Sequence, residues 1–189
     1  RLDVLYGGDA RFTHSNGMFD NRGFACDAAE DGDTGPDEQF DVTQPYVEVA
    51  VPWGSGLTLN IGKFITPIGY EYVDPTKNAL YSHGYLFNFA SPFSQTGITA
   101  KYNLSDQVNV TAGVTRGWDQ SFQDNNGAVD FLGQVEYKPD SQWDTLFVLS
   151  TGPQEADSYG YLTELDALIY YTLNEKWTFN GEALYGVES

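Results

Sequence analysis

"ITAKYNLSDQVNVTAGVT", Ile98 to Thr115, decides how this chain is read. Ile98, Ala100, Tyr102 and Leu104 alternate with Thr99, Lys101 and Asn103. After a polar break at Ser105 and Asp106, Val108, Val110, Ala112 and Val114 alternate with Asn109, Thr111, Gly113 and Thr115. A period of two describes a hairpin with one apolar and one polar face. The apolar face must cover a protein core or meet lipid, and the surrounding sequence has to decide between them.

The same period recurs along the chain. Strands are expected at Leu2–Thr13, Asp41–Pro52, Leu57–Ile61, the two halves of the opening hairpin, Ala128–Lys138, Trp143–Thr151, Tyr161–Leu173 and Lys176–Gly186. That makes about nine, most of roughly 9–12 residues, which suits a tilted membrane-crossing strand. Helical periodicity is weak, and one short helix is expected at Thr76–Ser82, just after Pro75, because proline suits a first helical turn. The connections alternate in length. Trp53–Gly56, Ser105–Asp106, Pro139–Gln142 and Asn174–Glu175 are short, whereas His14–Phe40, Ile65–Ser94, Asp119–Gly127 and Gly152–Gly160 are long. In an up-and-down meander every second connection lies at the same end, so one end carries tight turns and the other long loops. Outer-membrane barrels have this asymmetry, and a soluble sandwich has no physical reason to keep it.

Aromatic placement points the same way. Trp53, Tyr102, Tyr137, Trp143, Tyr171 and Trp177 sit beside the short turns, each on the apolar parity of its strand. Amphipathic rings at the end of an apolar face suit a membrane–water interface, as a girdle; in a soluble protein they would seal the rim of a core. The opposite parity holds Glu48, Asn60, Lys101, Asn109, Thr111, Asp130, Gln134, Glu136, Asp144, Glu164, Asp166, Asn180 and Glu182. These are too many and too charged for a dry interior, so they would line water. Lys63 and Arg116 break the pattern by falling on apolar parity. A bulge at Gly62 or a place at the upper rim would accommodate Lys63, and Arg116 near a strand top would meet anionic lipid headgroups. Leu132, Leu162, Leu168 and Leu184 point to the polar side without an evident reason.

Composition narrows the function classes. Among 189 residues, 27 Asp and Glu face 9 Lys and Arg, a net charge of -18, which argues against a nucleic-acid partner. The lone cysteine, Cys26, forms no internal disulfide and reads as an incidental loop thiol. No apolar run approaches the roughly 20 residues of a membrane helix. The mean hydropathy of -0.39 does not exclude a membrane barrel, whose strands are only half apolar. The chain opens at Arg1, stops at "ALYGVES" in mid-pattern and has an odd strand count. The expectation is therefore an all-β, antiparallel, up-and-down transmembrane barrel of which this is a fragment.

The stretch from Gln44 to Tyr137 resembles a known family. "GKFITPIGYE" (Gly62–Glu71), "YSHGYLFNFASPFSQTG" (Tyr81–Gly97) and "GVTRGWD" (Gly113–Asp119) carry the likeness to the outer-membrane β-barrel porins of the beta-barrel porin-2 group. The resemblance is strong over about half the chain and looser elsewhere. It implies a Gram-negative-type outer membrane, with its lipid and lipopolysaccharide, and passive permeation of small hydrophilic solutes or ions. The solutes of the family are largely undefined, so it assigns no functional residues here.

Candidate sites follow from the residues themselves. The Ile65–Ser94 segment is too long and too aromatic for a solvated loop. Folded inward it would narrow a pore, with Glu71, Lys77 and His83 at the constriction; otherwise it caps the barrel outside or packs at a subunit interface of a homo-oligomer. Ser82 and His83 are sequence neighbours without a nucleophile elbow, so an enzyme is not expected. The acidic run Asp27–Asp41, within the long 14–40 connection, lacks the ligand spacing of an EF-hand and reads as a solvated external loop; no metal centre or cofactor is expected. Glu48, Asp130, Glu136, Asp144, Glu164, Asp166 and Glu182 outnumber Lys101 and Arg11, which predicts a weak cation preference. A soluble β-sandwich binding carbohydrate on loop aromatics is the competing reading.

Overall fold

The computed structural model describes residues 1–18, 40–155 and 160–189, excluding the Arg11 side chain. Cys26 and the acidic run up to Glu38 lie outside the described residues. The described chain forms strands β1 (Leu2–Tyr6), β2 (Phe40–Val51), β3 (Leu57–Ile65), β4 (Ser94–Asn103), β5 (Val108–Thr115), β6 (Asp130–Tyr137), β7 (Trp143–Pro153), β8 (Tyr161–Asn174) and β9 (Trp177–Glu188). Two short helices, α1 (Ala10–Thr13) and α2 (Tyr85–Phe89), lie between them. All nine strands belong to one sheet in sequence order, every neighbouring pair antiparallel. β1 and β9 are its two edges, and the sheet is not closed.

Three local expectations are corrected. The first strand ends at Tyr6 rather than Thr13: Gly7, at φ +135°, turns the chain, and Ala10–Thr13 makes one helical turn closed by Thr13 Oγ1 donating to Ala10 O at 3.1 Å. Arg11 therefore lies on α1, not on a strand. The expected helix at Thr76–Ser82 is only a 3-10 turn, Pro75–Lys77. Asp74 caps it by accepting from Thr76 N at 3.0 Å. Asn78 then bonds Tyr72 twice, accepting from its N–H and donating to its carbonyl, both at 2.8 Å, which pulls the backbone into an extended conformation. The helix of this segment comes later, at α2. Finally, no bulge interrupts the β3–β4 register at Gly62, so Lys63 is not re-aimed. It stays on the outer side and is covered by the N-terminal segment instead.

That cover is a small polar core. Lys63 Nζ donates to Val42 O at 3.0 Å and lies 3.6 Å from Asp41 Oδ1, with both side chains almost fully buried. Thr13 Oγ1 donates to Asp41 Oδ2 at 2.7 Å, and Met18 packs over the ammonium. A buried ion pair of this kind persists only when further hydrogen bonds satisfy it.

The sheet curls toward its polar face. Gly69 N donates to Asp166 of β8 at 2.7 Å, although Gly69 is only four residues beyond the end of β3. In a flat sheet five strand spacings separate β3 from β8 by about 24 Å. Four residues span at most about 14 Å, and an aspartate side chain with its hydrogen bond adds only about 6 Å. Glycines on that face permit the curl. Gly62, at φ +134°, has no room for a Cβ against the backbone of Pro45 and Tyr46. A Cβ on Gly113 would lie 2.8 Å from Thr99 Cα.

Candidate functional site: the inner face

Register assembles the inner face. Directly paired residues of an antiparallel sheet share a face. One row runs Glu48, Asn60, Thr99, Gly113, Leu132, Ser150, Glu164. The next runs Lys101, Thr111, Gln134, Val148, Asp166, Leu184. A third runs Asn103, Asn109, Glu136, Leu146, Leu168, Glu182. Asp130, paired with Thr115, stands one step nearer the long loops. All thirteen polar-parity residues expected to line water therefore lie on one face, Asp144 and Asn180 through their pairing with Tyr170.

Their partners differ along that face. Near the short turns, Lys101 lies 3.5 Å from Glu136, Asn109 donates to Glu136 at 2.9 Å, and Lys138 bridges Glu136 and Asp144, the latter at 3.0 Å. The two carboxylates hold the Lys138 ammonium, just beyond β6, above the usual lysine range. Nearer the long loops, Asp130, Glu164 and Asp166 are almost fully buried, and none has a Lys or Arg in ion-pair contact among the described residues.

The segment between β3 and β4 crosses this face. Ile68, 2% exposed, packs with Phe64, Leu132 and Val148, and Tyr46 and Leu184 lie against that cluster. Gly69 is held by Asp166, Asn180 Nδ2 donates to the Tyr70 hydroxyl at 2.8 Å, and the Tyr70 and Tyr170 rings are 5.8 Å apart. Two of the four inward leucines, Leu132 and Leu184, therefore have an apolar partner in the chain itself. Sequence reasoning missed Ile68, Gly69 and Tyr70; Leu132 and Leu184 on the polar parity were the signal that something apolar covers them.

Glu71, Lys77 and His83 are not brought together. Glu71 Oε2 accepts from Gly84 N at 2.7 Å, tying the two arms of the segment. Lys77 is exposed, 5.6 Å above the Tyr72 ring. The His83 ring stacks on Phe87 at 3.8 Å, and Phe87 meets Phe93 edge-on. Ser82 is exposed, and among the described residues nothing assembles a nucleophile with His83.

A second clamp was not legible in sequence. Asp119, at φ +48°, accepts from Phe93 N at 2.8 Å and Ser94 N at 2.9 Å, while its carbonyl accepts from Asn16 N at 2.7 Å. It joins three connections at the long-loop end. Burial pushes its carboxyl up to about 7, against the opposing pull of the two N–H donors and Lys63. Arg116, half-buried on the same connection, pairs with Asp124 at 3.7 Å.

Away from the covered Lys63–Asp41 corner, the outer face is apolar and bare. Val47 is 62% exposed, Phe147 53% and Tyr185 62%, and Val49, Ile61, Ile98, Val114, Phe131, Val135, Leu165, Ile169, Phe179 and Val187 are exposed with them. At its short-turn end the aromatics form chains. Trp53 lies 5.8 Å from Tyr102 and Trp143 4.3 Å from Tyr171, and Phe179 stacks on both Tyr171 and Trp177. Tyr137 stands exposed on the same face.

One curled antiparallel meander with these two faces agrees with what the chain matches as a sequence. The model of the family described as "Putative beta-barrel porin-2, OmpL-like" covers residues 1–189. The chain belongs to this beta-barrel porin-2 family. Neither the curated proteins nor the solved structures contain a match to it. The sandwich reading is not favoured, since the described residues make one sheet rather than two packed ones. Among the described residues no group of three or more His, Cys, Asp or Glu is arranged to hold a metal.

Proposed function

We propose that this porin-2 chain is part of an outer-membrane diffusion porin, with lipid and lipopolysaccharide against its outer face and small hydrophilic solutes or ions passing along its inner face. The observation that carries this reading is the bare apolar band. A soluble protein rarely exposes a contiguous apolar patch beyond a few hundred Å², and here the apolar parity of strand after strand is uncovered. Lipid is the environment in which that face costs nothing, and a paired backbone is what lets strands enter it.

On this reading Glu48, Asn60, Lys101, Asn109, Thr111, Gln134, Glu136 and Glu182 border the water path, whereas Asp130, Glu164 and Asp166, expected there from sequence, share the face but are buried away from it. Trp53, Tyr102, Tyr137, Trp143, Tyr171 and Trp177 form the periplasmic girdle. Segment 66–93 narrows the path, with Ile68 as its innermost side chain. Carboxylates outnumber cations along the face, so the pore prefers cations weakly. The test is the full-length protein in planar bilayers under a salt gradient. The expected reversal potential has the cation-selective sign; the anion-selective sign sinks the charge argument, and absence of any conductance sinks the pore. Deleting Tyr72 to Phe89 from the same protein should raise single-channel conductance; unchanged conductance in the folded variant would leave any narrowing to Ile68, Gly69 and Tyr70 alone.

A further inference from the structure

The inner face holds two buried carboxylates with no cationic side chain beside them among the described residues and one amide donor, that of Gln154, between them. Asp130 and Glu164 are 3% and 5% exposed and border one small space, together with Gln95 and Ser150. Gln95 is 1% exposed, and its amide oxygen is buried with no hydrogen-bond partner. Glu164 accepts no hydrogen bond from any described side chain. Asp130 has one donor, the Gln154 amide, which is itself oriented by Trp118 N donating to Gln154 Oε1 at 3.0 Å. Gly152 matters here: a Cβ on it would occupy the place of the Asp130 carboxylate, so the missing side chain is what lets that group lie down into the space.

Two buried carboxylates and an orphaned amide oxygen facing one space are costly unless something positive joins them. The space is too small for a water molecule, so a solvated ion or an organic solute does not fit. Oxygen ligands from carboxylate, amide and hydroxyl select a hard cation, and two negative charges are balanced by a divalent one. Calcium accepts irregular oxygen shells, whereas magnesium demands near-octahedral geometry and keeps its water.

We propose that Asp130, Glu164, the Gln95 amide oxygen and the Ser150 hydroxyl form a binding site for a dehydrated Ca²⁺-type cation. The site joins β4, β6, β7 and β8 across the inner face, and it does not depend on whether that face lines a pore. Trp118 borders the same space, which supplies an optical reporter.

The test uses the full-length protein, folded in detergent and washed with chelator, titrated with Tb³⁺ while the indole band is excited. The expected result is saturable sensitised emission that Ca²⁺ displaces and K⁺ at the same concentration does not. Glu164→Gln and, separately, Trp118→Phe should each cut the emission about tenfold, while Asp106→Asn in the β4–β5 turn leaves it intact. Should Glu164→Gln fail to fold, Gln95→Ala serves in its place: it keeps both carboxylates, and Ca²⁺ should then displace Tb³⁺ only at about tenfold higher concentration. No saturable emission overturns the site. So does emission that survives both Glu164→Gln and Trp118→Phe, which would place the ion elsewhere on this acidic chain. If acidification, but not Ca²⁺, changes the folded protein's melting in a Glu164-dependent way, shared protons neutralise the carboxylates and the proposal fails.

Discussion

Asp166 is the lock that keeps the inward segment in place, and removing it should release Ile68 by a calculable amount. Its carboxylate accepts the Gly69 N–H at 2.7 Å in a nearly fully buried setting. A hydrogen bond to a charged group contributes about 1.5–3 kcal/mol net. Taking about 2 kcal/mol, the ratio of docked to released segment falls about thirtyfold, because each 1.4 kcal/mol is tenfold. Ile68 is 2% exposed, so a cysteine replacing it is reached by a water-soluble thiol reagent only when the segment lifts. The assay compares Ile68→Cys with Ile68→Cys plus Asp166→Ala, both carrying Cys26→Ser to remove the native thiol. Where lifting and closing are fast relative to labelling, the rate follows the released population. The double variant should label about 10 to 100 times faster. A ratio below about threefold would show that Asp166 is dispensable and that Ile68 packing alone holds the segment, contrary to the energies used here.

Two further outcomes follow from the same geometry. The folded Asp119 carboxyl titrates at about 7, above the usual aspartate value of 3.8, so its contribution to stability is complete below pH 4 and is lost as pH rises through 7. Melting temperature should fall across that window, by no more than about 4 kcal/mol equivalent, and Asp119→Asn should flatten the slope; an unaltered slope in that variant would assign the titration to another group. Gly62→Ala meets the Pro45 and Tyr46 backbone at φ +134° and should cost about 1–3 kcal/mol, whereas Gly181→Ala in β9, with open space around it, should be near neutral. Equal melting of the two alanine variants would mean that β2 and β3 can part without cost.

The meander was legible because its information is local. Period-two alternation and turn chemistry at Trp53–Gly56, Ser105–Asp106 and Asn174–Glu175 depend on near neighbours, and register follows from the tight turns. The parity of the thirteen inner polar residues was legible for the same reason. Curl was not. It depends on glycines such as Gly62 and Gly113 whose effect is felt across strands, and without curl nothing ties Gly69 to Asp166. Lys63 illustrates a different limit: its partner Asp41 is distant in sequence and lies on a strand that has already parted from β3. The period assigned Lys63 to the outer side correctly but carried no sign of the N-terminal segment that covers it. Likewise nothing near Asp119 in the sequence marks its clamp, because its donors come from the far end of another connection.

The path of the long aromatic segment supports the proposal that the apolar face meets lipid. Burial of apolar surface is worth roughly 25 cal/mol per Å² in water. A soluble sheet with a free, aromatic-rich segment between β3 and β4 would gain most by folding that segment over Val47, Ile61, Ile98 and Val114. It does the reverse. Ile68, Gly69 and Tyr70 cross the polar face, held by Asp166 and Asn180, and the apolar band is left uncovered. That choice is costly where both faces meet water. It is favourable where the outer face is already solvated by hydrocarbon, because the only surface then worth filling is the inner one, at the point where Leu132, Val148 and Leu184 interrupt the carboxylates.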